Sequence, residues 1–455
     1  MKILLVQPAK PPKALGGEDF SIFEPLALEY LAAGVAAAHE VRILDMRLDP
    51  DLDTVLTDYQ PEVVGLTAYT VHVNTVNRLC RQIKALDPEI VTVVGGHHAT
   101  VMPEDFYTPF IDVIITGEGV FPFREAVSRL EKGLALVKIP GAVTLDHGGV
   151  LLQQGEEVFD LDALPLPRRD FTAAYRKSYF SEWMRPLASI RTSKGCHFRC
   201  QFCALWKLTG GRYLTRKPEC IVEELGTIKE KYVFFADDES LLDTPRMAAL
   251  ADLIRREGIN KRYFLYGRSD TIARHPELLE QWGAIGLERV FVGLEFMRDA
   301  DLKLIRKGST VANNEKALRI LKGLGLDIWP MFMIRPEFER RDFADLRQRC
   351  LDLDLSFIGF SVLTPLPGTD LYQEVKDRLI TVDYDYFDFF HTLLPTTLPL
   401  QDFYRELADL FQRSRSLKNQ IRLMRKYRLR ELPALFKAYG SLMKRVKTLA
   451  LDYGV

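Results

Sequence analysis

Three cysteines stand close together near the middle of the 455-residue chain, in the run Cys196-His-Phe-Arg-Cys200-Gln-Phe-Cys203. This C-x3-C-x2-C spacing is short enough for the three thiolates to converge on one metal cluster. Iron–sulfur clusters and structural zinc sites usually take four protein ligands. A cluster held by three cysteines therefore leaves one iron open to a ligand that is not protein, and chemistry can begin at that position.

Two other uses of these cysteines have to be weighed. A structural zinc site needs a fourth ligand, and His197 lies between the cysteines, where its geometry is poor. Disulfides are disfavoured because the chain has six cysteines, three of them crowded together, and no secretory signal. The remaining cysteines, Cys80, Cys220 and Cys350, are expected to be buried small hydrophobic residues.

Length and composition bound the class of protein. The length suggests several domains, and the apolar content of 47% is typical of a soluble globular protein. The formal net charge of −1 gives no general attraction to nucleic acid. The N-terminal run MKILLVQPAK is too short for a signal peptide, and no stretch reaches the roughly 18 apolar residues of a membrane span. We expect a cytoplasmic protein that does not cross a membrane.

Residues 1–145 alternate strand and helix patterns. Strands are predicted at Met1–Gln7, Glu40–Asp45, Val63–Ala68, Ile90–Val94 and Asp112–Thr116, and helices at Pro25–Ala38 and Val73–Leu86. This alternation predicts a doubly wound α/β domain, in which helices cover both faces of a parallel sheet. Ligands bind such sheets at the carboxyl ends of the strands.

The informative residues of this domain follow those strand ends. They are Thr67, Tyr69, Thr70 and Val71, then Gly95, Gly96, His97 and His98, then Gly117, Glu118 and Gly119. Glycines there allow a bulky ligand to approach the backbone closely. The two histidines could suggest a metal site, but adjacent side chains diverge, so we interpret them as polar residues that line a pocket. No G-x-G-x-x-G follows the first strand, which disfavours a dinucleotide.

A second β/α series follows a linker at 146–185, which contains two helix-breaking prolines, Pro165 and Pro167. Strands are predicted at Ala188–Ser193, Tyr232–Ala236, Tyr263–Arg268, Arg289–Glu295, Asp327–Ile334 and Phe357–Leu363, with helices such as Arg246–Glu257, Pro276–Trp282 and Asn313–Leu324. About six β/α units predict a barrel or partial barrel over residues 186–375, with its site at the carboxyl ends of the strands.

Polar residues again follow the strands, namely Asp237, Asp238, Glu239, Arg268, Glu295 and Arg335. Asp237 and Asp238 could equally cap the helices that come next. Glu295 is interpreted as functional, because it ends a strand at the same mouth as the cysteines.

The C-x3-C-x2-C run directly after the first barrel strand is the signature of the radical S-adenosylmethionine (SAM) superfamily, and this segment resembles its core. The resemblance implies a partial (β/α)6 barrel and a [4Fe–4S] cluster on Cys196, Cys200 and Cys203, with SAM on the open iron. It further implies SAM contacts by Phe202, Asp237, Asp238, Glu239, Arg268 and Glu295. The Gly-rich segment often found after the fifth strand is replaced by Met333-Ile-Arg335-Pro-Glu337, so the SAM contacts there stay open.

The runs VVGLTAY, VVGGHHATVMPED and DVIITGEGVFPF resemble the cobalamin-binding domain joined to many radical SAM enzymes. The resemblance implies that cobalamin is bound by Thr67, Tyr69, Thr70, Val71, Gly95, Gly96, His97, Glu118 and Gly119. The D-x-H-x-x-G motif of the wider fold is missing, since the loop reads Pro8-Ala9-Lys10-Pro11-Pro12. No histidine of that loop can therefore ligate cobalt, and the loop Thr67–Val71 is expected to approach the lower face of the corrin.

The β/α rhythm stops near Thr381, and residues 376–455 form a predicted helical segment. Its helices are predicted at Leu400–Phe411, Leu417–Arg430 and Leu432–Leu449. Between residues 411 and 450 there are twelve Lys or Arg and one acid, Glu431. This pattern fits either a solvated basic face or a surface that rests on the anionic inner membrane, and no motif accompanies it that would indicate nucleic acid. The aromatic run Tyr384–His391 could close the barrel mouth over an apolar substrate.

Taken together, the chain resembles the cobalamin-dependent radical SAM methyltransferases of class B. Its short helical C-terminus and the run Phe389-Phe390-His391-Thr-Leu-Leu-Pro395 are most similar to hopanoid C-3 methylases and their relatives. The resemblance implies that an electron donor such as flavodoxin or ferredoxin reduces the cluster, which cleaves SAM to a 5′-deoxyadenosyl radical. The radical would take a hydrogen atom from an unactivated carbon of an apolar small molecule, and methylcobalamin would supply a methyl group. Two alternatives stay open: an oxidative cyclase or ring-rearranging enzyme with the same cofactors, and a non-enzymatic cobalamin or redox sensor.

Overall fold

The computed structural model describes residues 1–145, 151–153 and 160–454. Two large sheets follow one another along this part of the chain, each covered by helices, and a group of C-terminal helices packs against the second sheet. Both sheets are built from buried, β-branched and aromatic strands, and each presents the carboxyl ends of its parallel strands to the other.

The N-terminal sheet has seven strands among the described residues. In spatial order they are Glu40–Asp45, Lys2–Gln7, Val63–Thr67, Val91–Gly95, Val113–Ile115, Ala142–Leu145 and Leu151–Gln153. The first five pair in parallel and the last two are antiparallel. Its helices are Leu26–Val35, Leu52–Tyr59, Val73–Leu86, His97–Val101 and Val120–Glu131. Each predicted strand lies within one residue of its predicted bounds.

Side chains on the two faces of this sheet belong to two separate hydrophobic clusters. Leu4, Val6 and Val64 pack on one face, whereas Ile3 and Leu5 pack on the other. Because successive strand residues point to opposite faces, a sheet buried on both sides needs continuous apolar runs. The predicted doubly wound architecture is therefore confirmed.

The linker predicted at 146–185 lies partly outside the described residues. Its described part is not a free connection, because Leu151–Gln153 pairs with the N-terminal sheet and Phe180–Ser181 pairs with Ser21–Ile22. A 3-10 helical stretch, Arg169–Ser178, lies against the first helix of the chain. Arg169 joins the two sheets here, since its guanidinium binds Glu224 at 2.7 Å.

The second sheet has six parallel strands in sequence order, as expected for a partial barrel. They are Leu187–Ile190, Tyr232–Phe235, Arg262–Tyr266, Leu287–Glu295, Asp327–Ile334 and Gly359–Val362. The helices between them are Pro218–Thr227, Thr244–Arg256, Ser269–Arg274, Pro276–Ala284, Asp299–Leu304, Val311–Gly323 and Arg340–Asp352. Among the described residues the first and last strands do not pair with each other, so the sheet curls into a half-barrel.

Three α-helices dominate the C-terminal segment, at Leu400–Arg413, Leu417–Met424 and Leu432–Thr448. The first is the best packed, since Phe403, Leu407 and Leu410 join the core of the half-barrel. The second is shorter than predicted and gives way to a separate 3-10 turn at Leu429–Glu431. In the part of the chain that the structure describes, no helix is long and apolar enough to cross a membrane.

Candidate active site between the two sheets

The cysteine loop is held in place by Asp237. One carboxylate oxygen accepts hydrogen bonds from the backbone N–H of Thr192 at 2.7 Å and Ser193 at 2.9 Å, and the other accepts from the Thr192 hydroxyl at 2.6 Å. Burial raises the pKa of Asp237 in spite of these bonds. With three donors on one buried carboxylate, Asp237 fixes the chain that leads to Cys196, and its predicted contact with SAM stays a prediction.

Asp238 fixes the next part of the same loop. Its carboxylate accepts a hydrogen bond from the backbone N–H of Gly195 at 2.6 Å. Gly195 has a φ of +88°, and a Cβ there would lie 2.3 Å from the carbonyl oxygen of Arg212. Glycine is therefore required immediately before Cys196.

The three cysteines of the loop have the properties of a cluster ligand set. All are free thiols, with Cys200 buried and the other two half-buried. Burial raises the pKa of Cys196 to about 11 and of Cys203 to about 12, and the neighbouring sulfurs of the loop add to both shifts. Thiols this close together stay protonated unless a metal cation compensates the charge of the thiolates. The donor set therefore fits an iron–sulfur cluster.

Among residues 1–145, 151–153 and 160–454, no group of three or more His, Cys, Asp or Glu side chains is placed to hold one metal ion. A [4Fe–4S] cluster does not require such a group, because each cysteine binds a different iron. Outside the loop, Cys80 and Cys350 are buried as predicted, whereas Cys220 is only half-buried.

Arg268 and Glu239 lie beside the cysteine loop. The guanidinium carbon of Arg268 lies 3.5 Å from the centroid of the Phe198 ring, and its Nη2 donates to the carbonyl oxygen of Lys307 at 2.6 Å. Glu239 accepts the backbone N–H of Arg268 at 3.3 Å, and burial raises its pKa to about 7. A cation and a carboxyl group are thus available next to the predicted cluster.

A buried ion pair, which sequence reasoning missed in part, completes this mouth. Lys307 Nζ lies 2.6 Å from Glu295 Oε1, and both side chains are buried. Burial lowers the pKa of Lys307, but Glu295 and then Cys200 raise it, and the net shift is upward. Lys307 therefore stays charged between the predicted SAM-binding carboxylate and the cluster. Its only signal in the sequence is its place directly before Gly308.

Glu295 ends its strand in the left-handed region, with a φ of +60°. A Cβ at Gly293 would lie 2.3 Å from Glu295 Oε1, so the glycine leaves room for the ion pair. Phe202, on the cysteine loop, is half-buried and packs against the core of the half-barrel. The predicted contacts of both residues with SAM stay predictions.

The glycine pair of the N-terminal sheet forms a close backbone cradle. Gly96 has a φ of +107°, and a Cβ there would lie 2.8 Å from Ala68 N, from Ala68 O and from Thr67 Oγ1. Gly95 has no such constraint, since the nearest atom to an added Cβ is 3.6 Å away. A surface with no side chain at this strand end fits a flat ligand such as the predicted corrin.

Tyr69 extends from this cradle toward the half-barrel. Its ring is 49% exposed and lies edge-on to His97 at 4.8 Å. Removal from bulk water raises the pKa of Tyr69, Arg47 lowers it, and the Asp238 carboxylate raises it further. Because Asp238 also accepts the backbone N–H of Gly195, directly before Cys196, Tyr69 lies on the side of the N-terminal sheet that faces the cysteine loop.

The two histidines of the cradle differ. His97 has an exposed side chain, but the surrounding protein still desolvates its ring, and this desolvation together with Lys194 and Arg191 lowers its pKa to about 4, so its imidazole is neutral at neutral pH. His98 is fully buried, with Nδ1 3.1 Å from the Thr70 hydroxyl and Nε2 2.7 Å from Asp105. The interpretation of His98 as a pocket-lining residue is therefore wrong.

Glu118 forms a bridge between the two sheets. Its carboxylate lies 3.1 Å from Arg191 Nη1 and 3.3 Å from Lys194 Nζ, on the segment that leads to the cysteines. Gly119 serves helix packing, because an added Cβ would lie 3.3 Å from Leu31. Thr67, Thr70 and Val71 are half-buried at the same edge. The predicted contacts of all these residues with cobalamin stay predictions.

The aromatic run Tyr384–His391 is largely structural. The Tyr384 hydroxyl donates to Asp105 at 2.6 Å, and His391 is buried with Nδ1 2.8 Å from Asp388 and Nε2 2.8 Å from Asp452. The run thus ties the N-terminal domain to the C-terminal helices, and Phe389, which is 48% exposed, is its most accessible side chain.

Several side chains on the inner face of the half-barrel are half-buried, whereas those on its outer face are fully buried. Along the fourth strand, Phe291 and Gly293 are half-buried while Val292 and Leu294 are fully buried. The same alternation recurs on the last strand, at residues 359–362. The inner face is mostly aromatic and apolar, with Phe234, Phe264, Tyr266, Phe291, Trp329 and Met331. The half-buried rings of Tyr266, Phe291 and Trp329 therefore line the space enclosed by the half-barrel, which we call its lumen.

Two protein families match the chain in the order of its two sheets. Residues 12–127 match the B12 binding domain, and residues 190–350 match the radical SAM superfamily.

Two solved structures share this fold over most of the chain. The radical S-adenosylmethionine methyltransferase TsrM from Kitasatospora setae, with cobalamin and a [4Fe–4S] cluster bound, aligns with a TM-score of 0.69 at 20% identity, over 92% of this chain and 90% of that chain. The cobalamin-dependent S-adenosylmethionine radical enzyme OxsB aligns with a TM-score of 0.71 at 16% identity, over 99% of this chain and 72% of that chain. At these identities the similarity shows the fold.

Sequence relatives extend over nearly the whole chain. The anaerobic magnesium-protoporphyrin IX monomethyl ester cyclase of Rubrivivax gelatinosus is 25% identical over 408 residues, which is 86% of this chain and 72% of the relative. The hopanoid C-3 methylase of Methylococcus capsulatus is 32% identical over 421 residues, which is 90% of this chain and 80% of the relative. With this relative and both domains in place, the chain belongs to the cobalamin-dependent radical SAM methyltransferases, enzymes whose cofactors are a [4Fe–4S] cluster, SAM and cobalamin.

Proposed function

We propose that this enzyme methylates an unactivated carbon of an apolar, rigid polycyclic substrate, such as a hopanoid, bound in the lumen of the half-barrel. The observation that carries the proposal is the group of half-buried rings, Tyr266, Phe291 and Trp329, on the inner face of the half-barrel. Aromatic walls bury large apolar area and suit a rigid hydrocarbon. The name of the relative from Methylococcus capsulatus supports the same class of substrate.

The bound cofactors supply the hydrogen-abstracting radical and the methyl group, while the protein binds, orients and excludes water. Cys196, Cys200 and Cys203 hold the cluster. Arg268 and Glu295 offer opposite charges to the amino-acid end of SAM, and Lys307 pairs with the Glu295 carboxylate at the mouth.

The same division of labour extends to the other predicted contacts. Phe202 would pack near the adenine, and Glu239 and Asp238 would lie beside the amino group of SAM. On the facing sheet, Tyr69 and Gly96 approach the corrin. Asp237 holds the cysteine loop from behind, so that its replacement would act through the position of the cysteines.

The test is turnover by the anaerobically reconstituted enzyme with SAM that carries a deuterated methyl group, dithionite as reductant and a hopanoid in detergent. We expect 5′-deoxyadenosine and a product that gains one labelled methyl group. The matched control replaces Cys196, Cys200 and Cys203 together with alanine, which should abolish both the brown cluster absorbance and 5′-deoxyadenosine. Absence of 5′-deoxyadenosine from the wild-type enzyme would refute the radical step.

Oxidative cyclisation is a second candidate function, favoured by the relative from Rubrivivax gelatinosus. Product mass separates the two, because a cyclase product loses hydrogen atoms and gains no methyl group. The hypothesis of a non-enzymatic sensor is not kept, since the chain belongs to an enzyme family. The electron donor is proposed to be a flavodoxin or ferredoxin, and replacing dithionite by each reduced protein tests this.

The basic C-terminal helices are proposed to rest on an anionic bilayer. Leu417, Leu429 and Phe436 are 70%, 86% and 58% exposed. Exposed cations surround them, namely Lys418, Arg422, Arg425, Arg428, Arg430 and Lys437. Exposed apolar side chains among cations fit a bilayer surface, where the apolar side chains enter the hydrocarbon region and the cations meet the anionic headgroups.

Sedimentation with vesicles tests this contact. Phosphatidylglycerol vesicles should bind the enzyme and neutral phosphatidylcholine vesicles should not, and Phe436→Glu should weaken the binding. Val382, which is 71% exposed on another surface, offers the matched control Val382→Glu, which should bind as wild type does. Equal binding by both variants would contradict the proposed surface.

A further inference from the structure

A cationic side chain is sealed into the end of the half-barrel opposite the cysteines. Arg289 is 0% exposed and lies near the start of the strand Leu287–Glu295. Its guanidinium carbon lies 4.0 Å from the centroid of the Trp183 ring, 4.7 Å from that of Phe357 and 5.4 Å from that of Trp329. Arg289 thus stands within a cage of aromatic rings.

The rings meet the face of the guanidinium but not its edge. Nε, Nη1 and Nη2 of Arg289 have no hydrogen-bond partner among the described residues. Cation–π contact stabilises the positive charge, yet the N–H groups in the guanidinium plane still need acceptors. Trp329 Nε1 and the Tyr427 hydroxyl, next to the same cage, are also buried without a partner. The site therefore lacks acceptors.

Two carboxylates lie near this site but accept no hydrogen bond from Arg289. Glu182 and Glu288 act electrostatically on Arg289, but no hydrogen bond joins either to its guanidinium, and Glu288 accepts from Trp183 Nε1 at 3.0 Å. Three further cations lie around the cage and its carboxylates, namely Lys426, Arg185 and Arg415. Lys426 is paired with Asp327, and Arg185 lies near Glu431, so the charges around the cage balance. The three unpartnered nitrogens of the Arg289 guanidinium themselves fit an oxyanion, which accepts hydrogen bonds from a planar set of N–H groups.

The side chains along the strand that carries Arg289 indicate the length and polarity of a ligand that would fit the lumen. Arg289, Phe291 and Gly293 alternate onto the inner face, since side chains of a strand repeat every second residue, and Glu295 follows a register shift at the end of the strand. Glu295 is six positions along the strand from Arg289, which is ~20 Å at ~3.3 Å per residue. The inner face is therefore polar at both ends and apolar in between.

We propose that Arg289, with the Trp329 N–H, binds an oxyanion at the far end of an elongated apolar substrate whose other end lies at Glu295. The inference rests on the proposed function, because it places that substrate in the lumen. It narrows the substrate class to polycyclic molecules that carry a carboxylate or phosphate group remote from the methylated carbon. The closed cage has to open to admit this group, so its rings move on binding.

Binding to the reconstituted holoenzyme tests the site without turnover. The probes are a pentacyclic triterpenoid carboxylic acid and its methyl ester. Their binding is measured by equilibrium dialysis and by tryptophan fluorescence. Wild type should bind the acid ~10-fold or more tightly than the ester, since one charge-assisted hydrogen bond is lost in the ester. Arg289→Met should remove this preference and leave the affinity for the ester unchanged. Equal binding of acid and ester by wild type, or an unchanged preference in Arg289→Met, would overturn the proposal.

Two further variants keep the test decisive if Arg289→Met fails to fold. Trp329→Phe keeps a ring but removes the N–H, and it should weaken binding of the acid several-fold while sparing the ester. Arg262, exposed at the same end of the neighbouring strand, gives the control Arg262→Met, which should keep the full preference. Loss of the preference in this control would point to a general charge effect and overturn the assignment to Arg289.

Inorganic phosphate separates a substrate end from a free anion. If phosphate alone binds as tightly as the triterpenoid acid and displaces it, the site takes a free anion and the assignment to the substrate is overturned. Failure of the proposed function is distinguishable from failure of this inference. An acid preference that depends on Arg289, in an enzyme that transfers no methyl group, would refute the methylation and leave the site standing.

Discussion

Removing one partner of the buried pair Lys307 and Glu295 should lower the free energy of unfolding more than removing one partner of a surface ion pair. Both side chains are below 10% exposed and their charged atoms lie 2.6 Å apart. In Glu295→Gln, the ammonium of Lys307 stays buried near Arg268 without its carboxylate. In Lys307→Met, the carboxylate of Glu295 stays buried without its ammonium partner.

Removing one partner of a buried pair costs about 3–5 kcal/mol, because the remaining charge stays desolvated and unpaired. For a unit of the size of the half-barrel, 1 kcal/mol corresponds to ~2–4 °C in Tm. Each single variant should therefore melt ~6–20 °C below wild type. The double variant, with neither charge, should recover at least ~2 kcal/mol of the summed loss.

The assay is thermal unfolding of the cluster-free protein, followed by circular dichroism, so that lost cofactor contacts do not contribute. Glu337 and Arg335 form an ion pair on the exposed side of the barrel mouth, with N and O atoms 3.3 Å apart, and Glu337→Gln is the matched control, with an expected change of ~1 kcal/mol or less. The reasoning is refuted if both single variants melt within ~2 °C of wild type, or if the double variant shows the simple sum of the two losses.

Three further outcomes are expected. Gly96→Ala should lower Tm and weaken cobalamin binding, because a φ of +107° costs ~1–3 kcal/mol of strain and the new Cβ clashes with Ala68. Gly95→Ala should be tolerated, and an equal loss in both variants would contradict the proposed cradle. Asp237→Asn should lower the yield of reconstituted cluster, measured as iron per chain, because an amide cannot accept all three hydrogen bonds of the loop; full iron content would contradict this. Burial raises the folded-state pKa of Glu182 to about 7, so its contribution to stability is present below its ordinary pKa and is lost as the pH rises through about 7. The free energy of unfolding of Glu182→Gln should therefore rise relative to that of wild type between pH 5 and pH 8, by up to about 3 kcal/mol. A Tm difference between the two proteins that stays constant across this range would contradict the raised pKa.

Strand bounds of the N-terminal sheet could be predicted to within one residue because that sheet is buried on both faces, whereas several strands of the half-barrel, such as Leu187–Ile190 and Gly359–Val362, were predicted two or three residues off. Continuous apolar runs give Lys2–Gln7 and Asp327–Ile334 with at most one residue of error. The antiparallel strands Ala142–Leu145 and Leu151–Gln153 were not predicted, since three or four residues carry too little periodicity to be recognised. The helix beginning at Leu417 was predicted too long because basic residues with regular apolar spacing continue past its end at Met424.

The roles of single polar residues were harder to predict. A carboxylate at the end of a parallel strand can point into the site or accept backbone hydrogen bonds, and the sequence does not distinguish these cases. Asp237 accepts its bonds from Thr192 and Ser193, more than forty residues earlier in the chain. Lys307 follows a helix rather than a strand, so no strand-end rule points to it.

Arg289 shows a different limit of sequence reasoning. It lies near the amino end of its strand, opposite the end where sites of parallel barrels are expected, and a polar residue there indicates a strand boundary. Only the folded protein shows that its guanidinium is buried and lacks acceptors.

The buried polar groups of this enzyme therefore fall into two kinds, and the difference indicates where a ligand belongs. Asp237 and His98 have all their hydrogen-bonding capacity met by the chain, and they act as supports. Arg289 and Trp329 retain buried donors that the described chain does not meet. Among the described residues, Arg289 alone has all three guanidinium nitrogens buried without a partner, and the proposed substrate oxyanion would supply the missing acceptor. The aromatic lumen between this site and the cysteines then has a reason for its length, since it sets the distance from the anchored end of a substrate to the carbon that is methylated.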